Sequence, residues 1–133
     1  MIRSLFAIIA GLIAGILATT FTEIAATKVF AIPPGVDFHD PAQLRALIES
    51  MPMSAKGLIV FGWCLGAFLG AGVAVRLASQ HRLFVAMAIG IAVAAGTIGN
   101  SWGTHPFWMI ATGTLGPLGL AYLAYRTAPK PAE

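Results

Sequence analysis

This sequence of 133 residues has very little charge and a single cysteine. Only 10% of its residues are Asp, Glu, Lys or Arg, against about 25% in an ordinary soluble domain. Cys64 has no second cysteine to pair with, which excludes an internal disulfide and a metal site built on paired thiolates. The net charge of +3 is spread along the chain without a basic cluster, so we expect no nucleic-acid partner.

Motifs with an established catalytic mechanism are also missing. The chain has no GxSxG, HExxH or CxxC motif and no phosphate-binding glycine loop. Asp37, His39 and Asp40 lie close together in sequence, but a solvated turn that caps a helix explains them more simply than a weak metal site. We therefore predict a protein that is not an enzyme and has no cofactor and no metal.

What the sequence does contain is long apolar runs. Its hydrophobic content is 58% and its mean hydropathy is +0.85. Four runs cover residues 5–24, 58–77, 83–98 and 107–125, and a helix of 20 residues is about 30 Å long, enough to cross a bilayer. The first run exceeds the usual signal-peptide core of about 7–15 residues, so we expect a retained anchor. The predicted fold is an all-α, four-helix transmembrane bundle in a single domain, residues 1–133.

The main polar interruption is the loop of residues 32–53. Asp40 followed by Pro41 is a helix-start signal, which Gln43 strengthens. Apolar residues then recur at positions i, i+3, i+4 and i+7, namely Leu44, Leu47, Ile48 and Met51. This pattern predicts a short amphipathic helix over residues 41–50, which either lies on the membrane surface or caps the bundle.

The distribution of Lys and Arg indicates an orientation. One end of the predicted bundle carries five of these residues: Arg3, Arg76, Arg82, Arg126 and Lys130. The other end carries three, Lys28, Arg45 and Lys56, all in or near the long loop. Because basic residues are enriched on the cytoplasmic side, we expect both termini in the cytoplasm and residues 32–53 outside.

Glycines repeat every fourth residue in the first two runs. Gly11 and Gly15 share one helix face, and Gly62, Gly66 and Gly70 share another. Small residues at this spacing let transmembrane helices approach closely, so we predict that these glycines pack helices together. A glycine-lined substrate path is the alternative.

Four residues are expected at one depth near the outer ends of the helices. Glu23 stands about 27 Å beyond Leu5 and Asn100 about 26 Å beyond Leu83, at 1.5 Å per residue. His105 follows in the next turn, and Trp63 descends from the same side. We predict that Glu23 faces inward, hydrogen-bonded to Asn100 or His105 and covered by helix 41–50, because a carboxylate facing lipid lacks partners. This cluster is either a structural clasp or a binding pocket.

Several segments resemble a family of small, uncharacterised bacterial four-span membrane proteins. They are MIRSLFAIIAGLIAG, the late Glu23, PPGVDFHDPAQLRALIESMP with its PPGxDxxDP motif, GWCLGAFLGAG and GNSWGTHPFW. Relatives carry a histidine one turn after the acid, where this chain has Thr27, so an acid–histidine pair within the first helix is not expected. The resemblance implies the bacterial inner (plasma) membrane and supplies no activity.

Two functions fit these observations. The leading hypothesis is a non-enzymatic accessory or assembly subunit, or a homo-oligomer, that acts through helix packing with a membrane-protein partner or a second copy. The alternative is a small transporter or channel that uses Glu23 in an outer polar pocket. Small multidrug-resistance transporters are also four-span chains with a glutamate in the first span, but their acid lies nearer the membrane middle and they lack the long loop.

Overall fold

The computed structural model describes residues 2–129; Met1 and residues 130–133, including the Lys130 counted above, lie outside the described part. The described chain is all-helical, as predicted. Its helices are α1 (Ile2–Val29), α2 (Pro41–Ser50), α3 (Met53–Leu77), α4 (Arg82–Ser101) and α5 (Phe107–Thr127). The four longer helices pack together, and each is long and apolar enough to cross a membrane.

The helices are longer than the apolar runs that predicted them. Helix α1 has 28 residues and α3 has 25, because hydropathy marks only the apolar segment while the helix continues until the backbone is interrupted. Pro52 precedes α3 and occupies its N-cap position, so Met53, expected in the loop, is the first helical residue. Proline suits this boundary because it lacks the N–H that a helix interior needs.

Helix α3 is the centre of the bundle. Half of its most apolar 18-residue window is buried, compared with 22% of the corresponding window in α1. It packs against α1, α4 and α5, and α4 also packs against α5. Helix α1 rests mainly on α3 and touches α4 only lightly. This arrangement leaves a gap between α1 and α4.

The backbones of α1 and α3 meet at the predicted glycines. A Cβ atom added to Gly11 would lie 2.6 Å from the carbonyl oxygen of Gly70, and one added to Gly15 would lie 2.9 Å from that of Gly66. A Cβ on Gly62 would collide with the Thr22 side chain. At this crossing the close approach therefore requires residues without a side chain.

The end of the bundle near the termini has a core of small side chains. Buried alanines from α3, α4 and α5 surround Val75, Val85 and Ile89. Alanine fills little volume, so helices with such a core pack closely. Outside this core, large apolar side chains of α1 such as Phe6, Ile13, Leu17 and Phe21 are mostly exposed, which gives the bundle an apolar exterior suited to lipid.

Helix α2 caps the opposite end, hereafter the loop end. Asp40 is its N-cap, and its Oδ1 accepts a hydrogen bond of 2.9 Å from the backbone N–H of Ala42. Leu47 and Ile48 are buried, and Ile48 packs with Val60 of α3 and Met109 of α5. Of the two placements expected for this helix, the structure has the cap.

Candidate functional site

The gap between α1 and α4 widens at the loop end into a cavity of about 790 Å³. Helix α3 contributes Ile59 and Trp63 to its wall, and α2 contributes Leu44, Leu47 and Ile48 as a cover. The four residues expected to form a polar cluster all line this one cavity: Glu23, Trp63, Asn100 and His105. The structure therefore brings together groups from three helices and a loop that are far apart in sequence.

Glu23 differs from the expectation in its partner and in its exposure, because it lines the cavity and is nevertheless an exposed residue. Within the described residues, no hydrogen bond joins Glu23 to Asn100 or His105. The predicted hydrogen bond is therefore wrong. The carboxylate instead lies near the side chain of Trp63, which is a loose hydrogen-bonding partner. The reason is the packing of α1, which rests on α3 and stands away from α4. Glu23 consequently faces the cavity along the opening between α1 and α4.

Trp63 owes its position to two residues behind it. Its six-membered ring lies against the backbone of Gly113 in α5, and Thr97 of α4 is next to the same point. The ring system faces His105 with centroids 5.9 Å apart and planes tilted by 51°. Trp63 is therefore a fixed wall of the cavity that presents an aromatic surface and one N–H donor.

His105 is oriented by its neighbour in the turn between α4 and α5. The hydroxyl of Thr104 lies 2.8 Å from Nδ1 of His105 and 3.2 Å from the carbonyl oxygen of Ser101. If the hydroxyl proton goes to that carbonyl, the hydroxyl accepts from Nδ1–H and leaves Nε2 as an acceptor. Burial lowers the pKa of His105 below its ordinary value, which favours the neutral imidazole at pH 7.

Ser101 is a site residue that sequence reasoning missed. It lines the cavity, its exposed fraction is 1%, and its Oγ has no hydrogen-bond partner within the described chain. An unpaired buried hydroxyl is unusual, because leaving it without a partner costs about 1–3 kcal/mol. The available signal was its spacing of four from Thr97, which places both on one face at the end of α4.

The cavity changes character with depth. At the loop end its polar groups are Glu23, Thr27, Asn100, Ser101 and His105. Thr19, Thr20 and Thr97 line it about one turn further in, and the deepest walls are apolar, with Leu12, Ile16, Ile89, Ala92 and Val93. Such a cavity can hold a molecule with one polar end and one apolar end.

The packing glycines and the cavity share a wall. Gly15 contacts α3 and also lines the cavity, as Gly96 does from α4. A side chain on Gly96 would meet nothing within 4 Å at its Cβ, so this glycine widens the cavity without serving a contact. Gly15 thus belongs both to the contact between α1 and α3 and to the cavity wall.

In comparisons with known proteins, no protein family, curated protein or solved structure matches this chain.

Proposed function

We propose that this chain is a multi-pass protein of the bacterial inner membrane that binds a small ligand in the cavity between α1 and α4, as a small transporter or channel does. The observation that carries the proposal is the convergence of Glu23, Trp63, Asn100, Ser101 and His105 on one cavity. An ionisable residue in a transmembrane helix is by default a candidate for function. The buried Ser101 hydroxyl beside them has no hydrogen-bond partner within the described chain.

The proposed orientation places this cavity in the outer half of the membrane. Both termini are then cytoplasmic and α2 covers the cavity from outside. Supporting this, Arg3, Arg76, Arg82 and Arg126 belong to one end of the bundle, against Lys28, Arg45 and Lys56 at the other. The bacterial location itself rests on the sequence resemblance.

The cavity is the reason for preferring ligand binding to the role of an accessory or assembly subunit, which was the leading hypothesis from the sequence. A structural clasp would satisfy its polar groups with one another. Here the Glu23 carboxylate has a loose partner and the Ser101 hydroxyl has none within the described chain. Groups left available in this way suit a site better than a clasp.

Chemical labelling of an introduced cysteine tests the proposal. In a Cys64→Ala background, Asn100→Cys should react with small charged methanethiosulfonate reagents, because Asn100 lines the cavity and is exposed there. Ile98→Cys is the matched control on the same helix, since Ile98 is 41% exposed on the outer surface and does not line the cavity. Reaction of Asn100→Cys from both membrane sides supports transport, and reaction from one side supports binding alone. No reaction from either side refutes the proposal.

A second candidate is the accessory or assembly subunit, or homo-oligomer, acting through helix packing. The observation in its favour is the outer surface of α4, where Ala95 and Gly99 are exposed and a side chain on Gly99 would meet nothing within 4 Å. Surfaces of small residues are typical of transmembrane helix association. The mass of the purified particle tests this role: Gly99→Phe should convert a complex into a single 13.8 kDa chain, whereas Gly119→Phe, on α5, should not.

A further inference from the structure

We infer that the ligand is an amphiphile with a single cationic head group, which reaches the cavity sideways from the lipid through the opening between α1 and α4. The inference rests on the proposed function, because it names the kind of molecule that this cavity binds. Three properties carry it: the charge of the cavity, its apolar depth and the position of its opening.

The charge of the cavity selects the head group. Glu23 is the one acidic residue among the lining residues, and no Lys or Arg is found among them. His105, buried beside the turn, is held towards its neutral form. An ionised Glu23 therefore has no internal counter-charge in the cavity, and a cation supplies it. The indole of Trp63 stands next to this carboxylate and offers the kind of aromatic face that attracts ammonium groups.

Polar groups of α4 and of the turn after it set the outer limit of the head-group region. Asn100 and Ser101 lie at the last turn of α4, and His105 lies just beyond it. They provide hydrogen-bond donors and acceptors around the carboxylate. A head group that carries N–H donors uses these acceptors, and a quaternary ammonium uses the carboxylate and the indole alone.

The depth of the cavity selects the apolar part. From Glu23 to Leu12 the lined face of α1 spans 11 residues, or about 16 Å at 1.5 Å per residue. Below Thr19, Thr20 and Thr97, the walls are formed by Leu12 and Ile16 of α1 and by Ile89, Ala92 and Val93 of α4. Burying an apolar chain along these walls is favourable, at roughly 25 cal/mol per Å² of apolar surface. An inorganic cation bound at Glu23 would leave this apolar part of the cavity unfilled.

The opening faces sideways. Ile16 and Glu23 on α1 and Ala92 and Asn100 on α4 line the cavity and are nevertheless exposed, so the cavity is open between these two helices. At the loop end, in contrast, Leu47 and Ile48 of α2 are buried as part of the cover. With the four long helices across a bilayer, an opening between two of them gives onto lipid, where an amphiphile is already concentrated.

Equilibrium binding of three related probes tests the inference. The full chain is placed in nanodiscs of zwitterionic lipid, with empty nanodiscs as the blank. The probes are radiolabelled dodecyltrimethylammonium, dodecyl sulfate and tetramethylammonium, all below micellar concentration. We expect saturable binding of about one dodecyltrimethylammonium per chain, with at least tenfold weaker binding of the other two. These two lack the matching charge or the apolar chain.

Matched variants locate the site. Glu23→Gln should weaken binding of dodecyltrimethylammonium at least tenfold, and Glu23→Asp, which keeps the carboxylate, should retain most of it. Glu49→Gln is the control, because Glu49 lies on the exposed surface of α2 in an ion pair with Arg45. Gly96→Phe should block binding by filling the opening while Glu23 is intact. Thermal unfolding of each variant establishes that it is folded.

The outcomes separate this inference from the proposed function. Equal or stronger binding of dodecyl sulfate that Gly96→Phe abolishes overturns the cationic head group and leaves a ligand-binding cavity. Absence of all amphiphile binding, with Asn100→Cys still reactive towards charged reagents, overturns the amphiphile and leaves a site for a small polar ligand. Absence of binding together with an unreactive Asn100→Cys overturns both. Unchanged affinity in Glu23→Gln also overturns the assignment of the head group.

Discussion

The ring of Trp63 occupies the space that a side chain at position 113 would need. A Cβ atom on Gly113 would lie 2.7 Å from Cζ3 of Trp63 and 2.9 Å from Cγ2 of Thr97. Distances below 3.0 Å to a rigid ring require something to move. Gly113 on α5 therefore fixes the position of an aromatic wall that belongs to a cavity between α1 and α4, although Gly113 itself does not line it.

This relationship predicts a displaced indole in Gly113→Ala. The measurement is acrylamide quenching of Trp63 fluorescence in a background in which Trp102 and Trp108 are replaced by Phe. Quenching should change in Gly113→Ala, because the added methyl group pushes the ring from its present position. Gly119→Ala is the control on the same helix, since its Cβ would meet nothing within 4 Å. Identical quenching in the parent and Gly113→Ala would show that the ring is not held there.

The crossing of α1 and α3 predicts a large difference between two glycine-to-leucine changes. Gly66→Leu places a branched side chain against the Gly15 carbonyl oxygen, which a Cβ alone would approach to 2.8 Å. Overpacking of this kind costs about 1–3 kcal/mol, so the unfolding midpoint in detergent should fall. Gly119→Leu, at an open position, should leave it nearly unchanged. Equal midpoints for the two variants would remove the glycine contact as a source of stability.

The fold was largely predictable because its signals are local. A run of 20 apolar residues identifies a span without reference to the rest of the chain, and Asp40 followed by Pro41 marks the start of α2 in the same way. The depth of Glu23 and Asn100 also followed from counting residues. Each of these inferences needs only the rise of a helix and a position in sequence.

The pairing of helices was not predictable from such signals. Whether α1 leans on α3 or on α4 depends on which small-residue faces meet, and both α3 and α4 carry such faces. That choice determines the partner of Glu23, because the carboxylate meets Trp63 only when α1 lies on α3. It also creates the cavity that Ser101 lines. The incorrect prediction of a hydrogen bond from Glu23 to Asn100 or His105 and the failure to predict Ser101 as a site residue thus have the same cause.

Burial of His105 predicts a pH-dependent stability. Its folded-state pKa lies below the ordinary value of 6.5, so as the pH falls below about 6.5 the unfolded chain takes up the proton first. The free energy of unfolding should therefore decrease with falling pH in the window below 6.5 and be unaffected by this group above it. The measurement is the unfolding midpoint at pH 8 and pH 5 for the parent and for His105→Gln. The parent should lose more stability than the variant, and an equal or smaller loss would contradict the prediction.

The packing of Ile48 predicts that a single substitution detaches α2 from the bundle. Ile48 is 4% exposed and contacts Val60 and Met109, so Ile48→Asn puts an amide into an apolar contact and should detach α2. Hydrogen exchange of the backbone amides in residues 41–50 should accelerate, while exchange in α3 should not. Ala46→Asn, on the exposed face of the same helix, is the control. Unchanged protection in Ile48→Asn would mean that α2 is held by other contacts.

The orientation predicts which end of the bundle is accessible from outside the cell. A cysteine introduced at His39, in the exposed loop before α2, should react in intact cells with a membrane-impermeant maleimide. A cysteine at His81, in the exposed turn between α3 and α4, should react only after the membrane is made permeable. Both variants are made in a Cys64→Ala background, so that a single thiol is present. The physical basis is the excess of arginine at the end that carries His81, which favours retention of that end in the cytoplasm. Labelling of position 81 but not of position 39 in intact cells would reverse the orientation and move the cavity to the inner half of the membrane.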